Sequence, residues 1–402
     1  MSHDAVRVLY LLPAEGFGGA ERQGLLHLAE LPRHGVEVTA LVGPGLPMLR
    51  AVGQNQLSGA ERFEYFPKRT RATFSVGGSA AHALRWLSAF RRSTREVHQR
   101  AGERSFQLIF ANRTFAWLVA AMLSRDLGIP YVLRAGSRPS RGAVLPGLLA
   151  LDRVAPPAAL LCNCRAVERV LGPWVRCPAH IVPNAIDTDA FVPGPMDDAR
   201  SRLGLPKGVP LVGLAARPAP EKGFELLSQV VALLRRQEPQ LRFVVAGEFG
   251  FRPYYEQQFA SQGLSDAVHF LGHVEAMADF YRAMDIVVLT SRRDSIEGSP
   301  NALLEAMACE RPLVATAVGG VPELVRHDTE GYLTRDDDSQ GFAEHVRRLL
   351  EHAELRRRLG RAGRLRALKR HRLPLVVGEL AGILRAVAAT GPIRAAEPWQ
   401  GL

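Results

Sequence analysis

Cysteine is scarce, with four in 402 residues. Cys162, Cys164, Cys177 and Cys309 form no C-x-x-C pair, which argues against a disulfide framework or a zinc site. No stretch approaches the roughly 18 uninterrupted apolar residues of a membrane-spanning helix. The first apolar run, residues 8–12, is short and follows Arg7, so it reads as a β-strand rather than a secretion signal. These shortages point to a reducing, cytoplasmic setting. Lysine is rare too, at four of the 51 basic residues, so a lysine in a motif stands against a strong compositional bias.

What is present fits a globular enzyme: 47% hydrophobic and 23% charged residues, in a chain long enough for two domains of about 150–200 residues. The net charge of +11 is uneven, since residues 1–190 hold 23 Lys/Arg against 14 Asp/Glu. Most of that excess lies between Arg62 and Arg104, a segment including Lys68, Arg91, Arg92 and Arg95. Such a patch suits anionic lipid headgroups, an acidic acceptor or nucleic acid, and equally an ordinary solvated face.

Strand-like and helix-like runs alternate. VRVLYLL (6–12) precedes a helical pattern over 18–35 and then VEVTALV (36–42). The order repeats at FQLIFAN, WLVAAMLSRDLG and IPYVLRAG, and again after residue 209 with VPLVGLAA, LRFVVAGE, DAVHFLG, DIVVLTS and PLVATA. Alternation of this kind predicts parallel sheets covered by helices on both faces. A Pro/Gly-rich break at 192–198 divides the chain into domains 1–190 and 191–370. Residues 371–402 hold a last helix, with Leu375, Leu380, Ile383, Leu384 and Val387 at helical spacing. Ligands of such sheets bind beyond the carboxyl ends of the strands.

Three turns lie there. EGFGGAER (15–22) offers Gly18 and Gly19 before a helix start, suited to a phosphate or simply to a tight turn; Glu21 stands where a dinucleotide fingerprint needs its third glycine. In ARPAPEKGFELL (216–227), Arg217 and Lys222 flank a proline-stiffened turn and Gly223 opens a helix, which suits a diphosphate clamp as well as an exposed helix start. EGSPNALLEA (297–306) follows a buried strand ending near Ser291. Ser299 is the expected helix cap and Pro300 the first helical residue. Glu297 then lies just outside the helix and Glu305 about one and a half turns inside it, with the backbone of Gly298, Ser299, Pro300 and Asn301 between.

Together, GGAER, R217-PAPE-K222-G, VPNAIDTDAF (182–191), E297-GSPNALL-E305 and the continuation 308–333 resemble the retaining nucleotide-sugar glycosyltransferases of GT-B fold, family four. The resemblance covers nearly the whole chain and is strongest over 211–333. It implies two Rossmann-like parallel-sheet domains facing across a cleft, with the C-terminal helix crossing back to the N-terminal domain. It further implies that Arg217 and Lys222 bind the donor diphosphate, Glu305 the ribose and Glu297 the sugar hydroxyls. Gly18 and Gly19 would close over the diphosphate, and the backbone at Val274 would meet the base. Where the family often has a histidine after the strand YVLRAGS, this chain has Ala135 and Gly136, leaving Arg134, Ser137 and Arg138 as acceptor-side candidates.

The implied activity is retaining, metal-independent hexosyl transfer to a cell-surface glycan or lipid-linked acceptor, as in polysaccharide or lipopolysaccharide biosynthesis. Catalytic roles fall to Glu297, Arg217 and Lys222. No cofactor, metal or nucleic acid is expected; contact of the basic segment with the inner face of an anionic membrane goes with a lipid-linked acceptor, and a solvated basic face with a soluble one. The Asp-x-Asp at 187–189 could in principle hold a divalent cation, yet it falls in the inter-domain phrase that the family uses structurally. A sugar-nucleotide epimerase of the same architecture and a basic nucleic-acid-binding protein are the rival readings.

Overall fold

A computed structural model describes residues 5–13, 18–42, 60–62, 105–137, 155–248, 250–295 and 297–390. The basic segment 62–104 and Arg138 lie almost wholly outside these. The chain divides into two compact units, residues 1–185 with 373–402, and residues 186–372.

Unit 1 carries a seven-stranded parallel sheet. Its strands are β1 (Val6–Leu12), β2 (Val36–Val42), β3 (Ala60–Arg62), β4 (Leu108–Asn112), β5 (Tyr131–Ala135), β6 (Ala159–Cys162) and β7 (Ala179–Ile181), ordered β3-β2-β1-β4-β5-β6-β7. The strands read as unbroken apolar runs because both faces are covered. Alternate residues go to opposite cores. Leu9, Leu11, Ile109 and Leu133 meet the helix Thr114–Leu127, while Val8, Tyr10, Phe110 and Val132 meet Leu28, Leu31 and the last helix, Leu373–Ala389.

The buried stripe of that last helix is Val376, Val377, Leu380, Ala381 and Leu384. Leu375, which the helical spacing places in the stripe, is instead exposed. The two valines cover β1 and β4, and Leu375 falls outside the arc they define. The first helix also departs from expectation. It runs Gly19–Glu30 and gives way to a 3-10 turn at Leu31–His34, because Pro32 has no N–H to continue the α-helical ladder.

Unit 2 carries six parallel strands, β8 (Leu211–Ala215), β9 (Arg242–Ala246), β10 (Val268–Gly272), β11 (Ile286–Leu289), β12 (Leu313–Thr316) and β13 (Gly331–Thr334), ordered β10-β9-β8-β11-β12-β13. Val212, Leu214, Val245 and Val288 pack under the helices Phe224–Arg235 and Ser339–Glu351. Leu211, Val244, Val287 and Leu289 pack on the other face, under Met277–Ala283 and Asn301–Ala308. The chain runs outward from β8 through β9 and β10, then returns to add β11 on the other side. β8 and β11 therefore flank the strand-order reversal, the point at whose carboxyl edge open α/β sheets hold their ligand crevice. In unit 1 the same reversal falls between β1 and β4.

Candidate functional site

The loop that leaves β8 is fastened at its far end. After Arg217, Pro218 and Ala219 the chain makes a 3-10 turn at Pro220–Lys222, and Gly223 then takes φ +65° before the helix Phe224–Arg235. A side chain cannot replace that hydrogen, since a Cβ on Gly223 would lie 1.9 Å from the Thr290 carbonyl oxygen. From the other side, Thr290 Oγ1 donates to the Lys222 carbonyl at 2.8 Å. The two loops thus close on each other and fix the point from which the Lys222 side chain departs.

Its ammonium group pairs with Glu297 Oε1. The same carboxylate oxygen accepts from Ser291 Oγ at 2.8 Å. Ser291 is fully buried and is itself held through its carbonyl by Thr316 Oγ1 at 2.6 Å. The backbone of Glu297 is pinned as well: a Cβ on Gly319 would lie 2.0 Å from its carbonyl, to which Gly320 N donates at 3.4 Å. The ends of β8, β11 and β12 therefore converge on one Lys–Glu pair, with side-chain exposures of 23% for Lys222 and 10% for Glu297. Arg217, on the same loop, is 61% exposed and turns to Glu221.

The helix after Glu297 begins at Asn301, one residue later than the sequence suggests. Pro300 is the cap, with an extended ψ of 120° that keeps it outside the helix. Gly298, Ser299 and Pro300, the loop before the helix, are buried. Glu305 lies in the second turn and is 2% exposed. Its Oε2 accepts from Tyr281 Oη at 2.7 Å, so the two motif glutamates sit in different surroundings, Glu297 at the crevice wall and Glu305 in the packed layer under it. Val274, just beyond β10, is half-buried against the core face that includes Ala246 and Met277.

In unit 1, Gly18 caps the first helix and its N–H donates to Glu21 Oε2 at 2.9 Å. Glu21, in the place of a third fingerprint glycine, also pairs with Arg113. Arg134 does not reach outward. It is buried, and its guanidinium donates to Asn184 Oδ1 at 3.0 Å and to Asn112 Oδ1 at 3.4 Å. Burial pulls its pKa down. Ser137 is exposed. Asp187 of the Asp-x-Asp accepts from the backbone N–H of Asp189 at 3.0 Å and Ala190 at 3.1 Å, closing a turn. Among the described residues, no group of three or more His, Cys, Asp or Glu is placed to hold a metal. Burial pushes the Cys162 and Cys309 thiols up to about 12, which removes them as nucleophiles.

Sequence reasoning passed over Thr290, Thr316 and Tyr281 and read Ser291 only as a strand end. The available signal was a hydroxyl residue directly after an apolar strand, as in IVVL-TS and at the end of LVAT.

Residues 195–366 match the family model described as glycosyl transferases group 1. A D-inositol 3-phosphate glycosyltransferase of Geodermatophilus obscurus is 34% identical over 186 residues, which are 44% of this chain and 41% of that protein. A 2-deoxystreptamine glucosyltransferase of Streptomyces kanamyceticus is 27% identical over 329 residues, 77% of this chain and 83% of that one. The crystal structure of Anabaena HepE in complex with UDP-glucose superimposes with a TM-score of 0.78 at 24% identity, covering 94% of this chain and 99% of that chain. At that identity the likeness establishes the fold, which is GT-B. The alignment spans less than half of the first relative's length and most of the second's.

Proposed function

From the match of residues 195–366 to the glycosyl transferases group 1 model and the GT-B fold, we propose that the chain is a member of that family and transfers a hexosyl group from a nucleotide-sugar donor, with retention and without a metal ion, to a glycan or lipid-linked acceptor. The observation that carries the proposal is the Lys222–Glu297 pair at the carboxyl edge of unit 2, with Arg217 on the same loop. As the glycosidic bond breaks, negative charge grows on the leaving diphosphate. Lys222 and Arg217 supply the cations that meet it in this reading, since positive charge at the leaving group lowers the barrier. Glu297, anchored by Ser291, accepts hydrogen bonds from the sugar hydroxyls. Glu305 acts from its buried position on the ribose side. No protein nucleophile is assigned, and the acceptor attacks on the face that the diphosphate leaves.

A uridine nucleotide is the first donor to try, since the HepE structure holds UDP-glucose. The names of two relatives carry a polyhydroxylated six-membered ring, D-inositol 3-phosphate and 2-deoxystreptamine. They favour a second reading in which the acceptor is a small soluble cyclitol. No helix among the described residues is long and apolar enough to cross a membrane; contact with an anionic surface through the segment 62–104 belongs to the lipid-linked reading. A thermal-shift panel of UDP, GDP and ADP with their glucose conjugates tests the donor, because a ligand at 100 times its Kd stabilises the fold by about 2.7 kcal/mol. Absence of any shift across the panel would defeat the proposal. Incubating the bound sugar nucleotide without an acceptor separates transfer from epimerisation.

A further inference from the structure

Lys222 has two claimants. Its ammonium is paired with Glu297 Oε1, and the proposed reaction requires the same ammonium on the donor diphosphate. Both partners are anions, and one ammonium cannot serve both at full strength. Glu297 has a second partner on the same oxygen, Ser291 Oγ at 2.8 Å, so its carboxylate need not be left bare if the ammonium turns away. Lys222 is only partly buried, so its flexible stem can swing without unpacking a core.

We propose that Glu297 is an exchangeable counter-ion: it holds Lys222 while the crevice is empty, yields it to the diphosphate, and reclaims it to expel the nucleoside diphosphate product. The inference rests on the reading of this site as the donor pocket. Its consequence is that the wild-type protein binds its product less tightly than the cations alone would allow, which keeps product from occupying the site. Arg217 and Glu221 stand in the same relation on the loop surface, but that pair is more exposed and is held by no comparable anchor.

The test is calorimetric titration of UDP, GDP, ADP and inorganic pyrophosphate into wild type, Glu297→Gln and Glu225→Gln. These probes carry no sugar, so loss of the hydroxyl contact does not blur the result. Glu225 opens the neighbouring helix and accepts from Tyr255 rather than from Lys222; its removal measures simple relief of charge repulsion. Glu297→Gln is expected to bind the preferred diphosphate roughly fivefold more tightly than wild type, and Glu225→Gln less than twofold more tightly. Equal tightening in both variants would overturn the inference, since through-space repulsion would then suffice. So would unchanged or weaker binding by Glu297→Gln. If wild type binds none of the four probes, the donor-site reading falls and the inference falls with it. Should Glu297→Gln fail to fold, Glu297→Ala takes its place with the same expectations.

Discussion

Gly223→Ala should damage both stability and the donor site. At φ +65° an alanine costs about 1–2 kcal/mol relative to a right-handed backbone. The new Cβ would start 1.9 Å from the Thr290 carbonyl oxygen, so that carbonyl must retreat by about 1 Å to reach even a tight contact. The retreat breaks the Thr290 Oγ1 bond to the Lys222 carbonyl, worth about 1 kcal/mol. With the strain of shifting a packed strand end, about 1–3 kcal/mol, the total comes to about 3–6 kcal/mol. Gly263→Ala is the control, having φ +69° and nothing within 4 Å of its added Cβ; it carries only the backbone cost of about 1–2 kcal/mol. At roughly 2–4 °C per kcal/mol for a unit of this size, calorimetry should show Gly223→Ala melting about 5–15 °C below Gly263→Ala. Nucleoside diphosphate binding should fall only in the former. If the two variants melt together and bind alike, the argument that Gly223 sets the position of Lys222 is wrong.

Replacing Lys222 or Arg217 with alanine should lower kcat/KM for sugar transfer roughly 100- to 1,000-fold, as for loss of an anion-stabilising donor; rates within threefold of wild type would remove the role. Tyr281→Phe takes a donor from the buried Glu305 carboxylate and should cost about 1.5–3 kcal/mol in denaturant unfolding, with unchanged stability counting against the bond. His27 is held neutral, its pKa well below the usual value through burial and then through the Arg134 charge. The unfolded chain therefore binds the extra proton below about pH 6.5, and stability should fall on acidification by up to about 1.4 kcal/mol per pH unit. His27→Gln should flatten that slope, and a slope identical to wild type would exclude it as a source. Deleting residues 371–402 strips Val376, Val377, Leu380 and Leu384 from unit 1, each worth about 1.5–3 kcal/mol of burial, and should send the protein into inclusion bodies; a soluble, active truncation would refute this.

The main strands were legible because two-sided burial leaves unbroken apolar runs such as VRVLYLL and DIVVLTS, and the glycine and proline turns after them marked the carboxyl edge. The short strands β7 and β13 were not. Ala179–Ile181 follows a proline, and Gly331–Thr334 starts on a glycine at the end of the continuation 308–333, so neither offers a run long enough to show a period. Motif spacing pointed to Lys222, Glu297 and Glu305 without showing that Lys222 and Glu297 share an ion pair 75 residues apart in sequence. That contact depends on two loops closing through Gly223 and Thr290, a tertiary event with no local pattern. Arg134 was misleading for a related reason: charge in a sequence suggests solvent, whereas the end of β4 and the segment after β7 place Asn112 and Asn184 around this guanidinium in the interior.

Unit 1 is discontinuous, and this bears on its synthesis. Its sheet is available once residue 185 has left the ribosome, but the helix Leu373–Ala389 that covers β1 and β4 comes nearly two hundred residues later. At about 5–20 residues per second the nascent chain spends roughly ten to forty seconds with that apolar face open. Pull-downs of nascent chains stalled before residue 390 should therefore show higher chaperone occupancy than the released full-length chain, in which the last helix is free to dock.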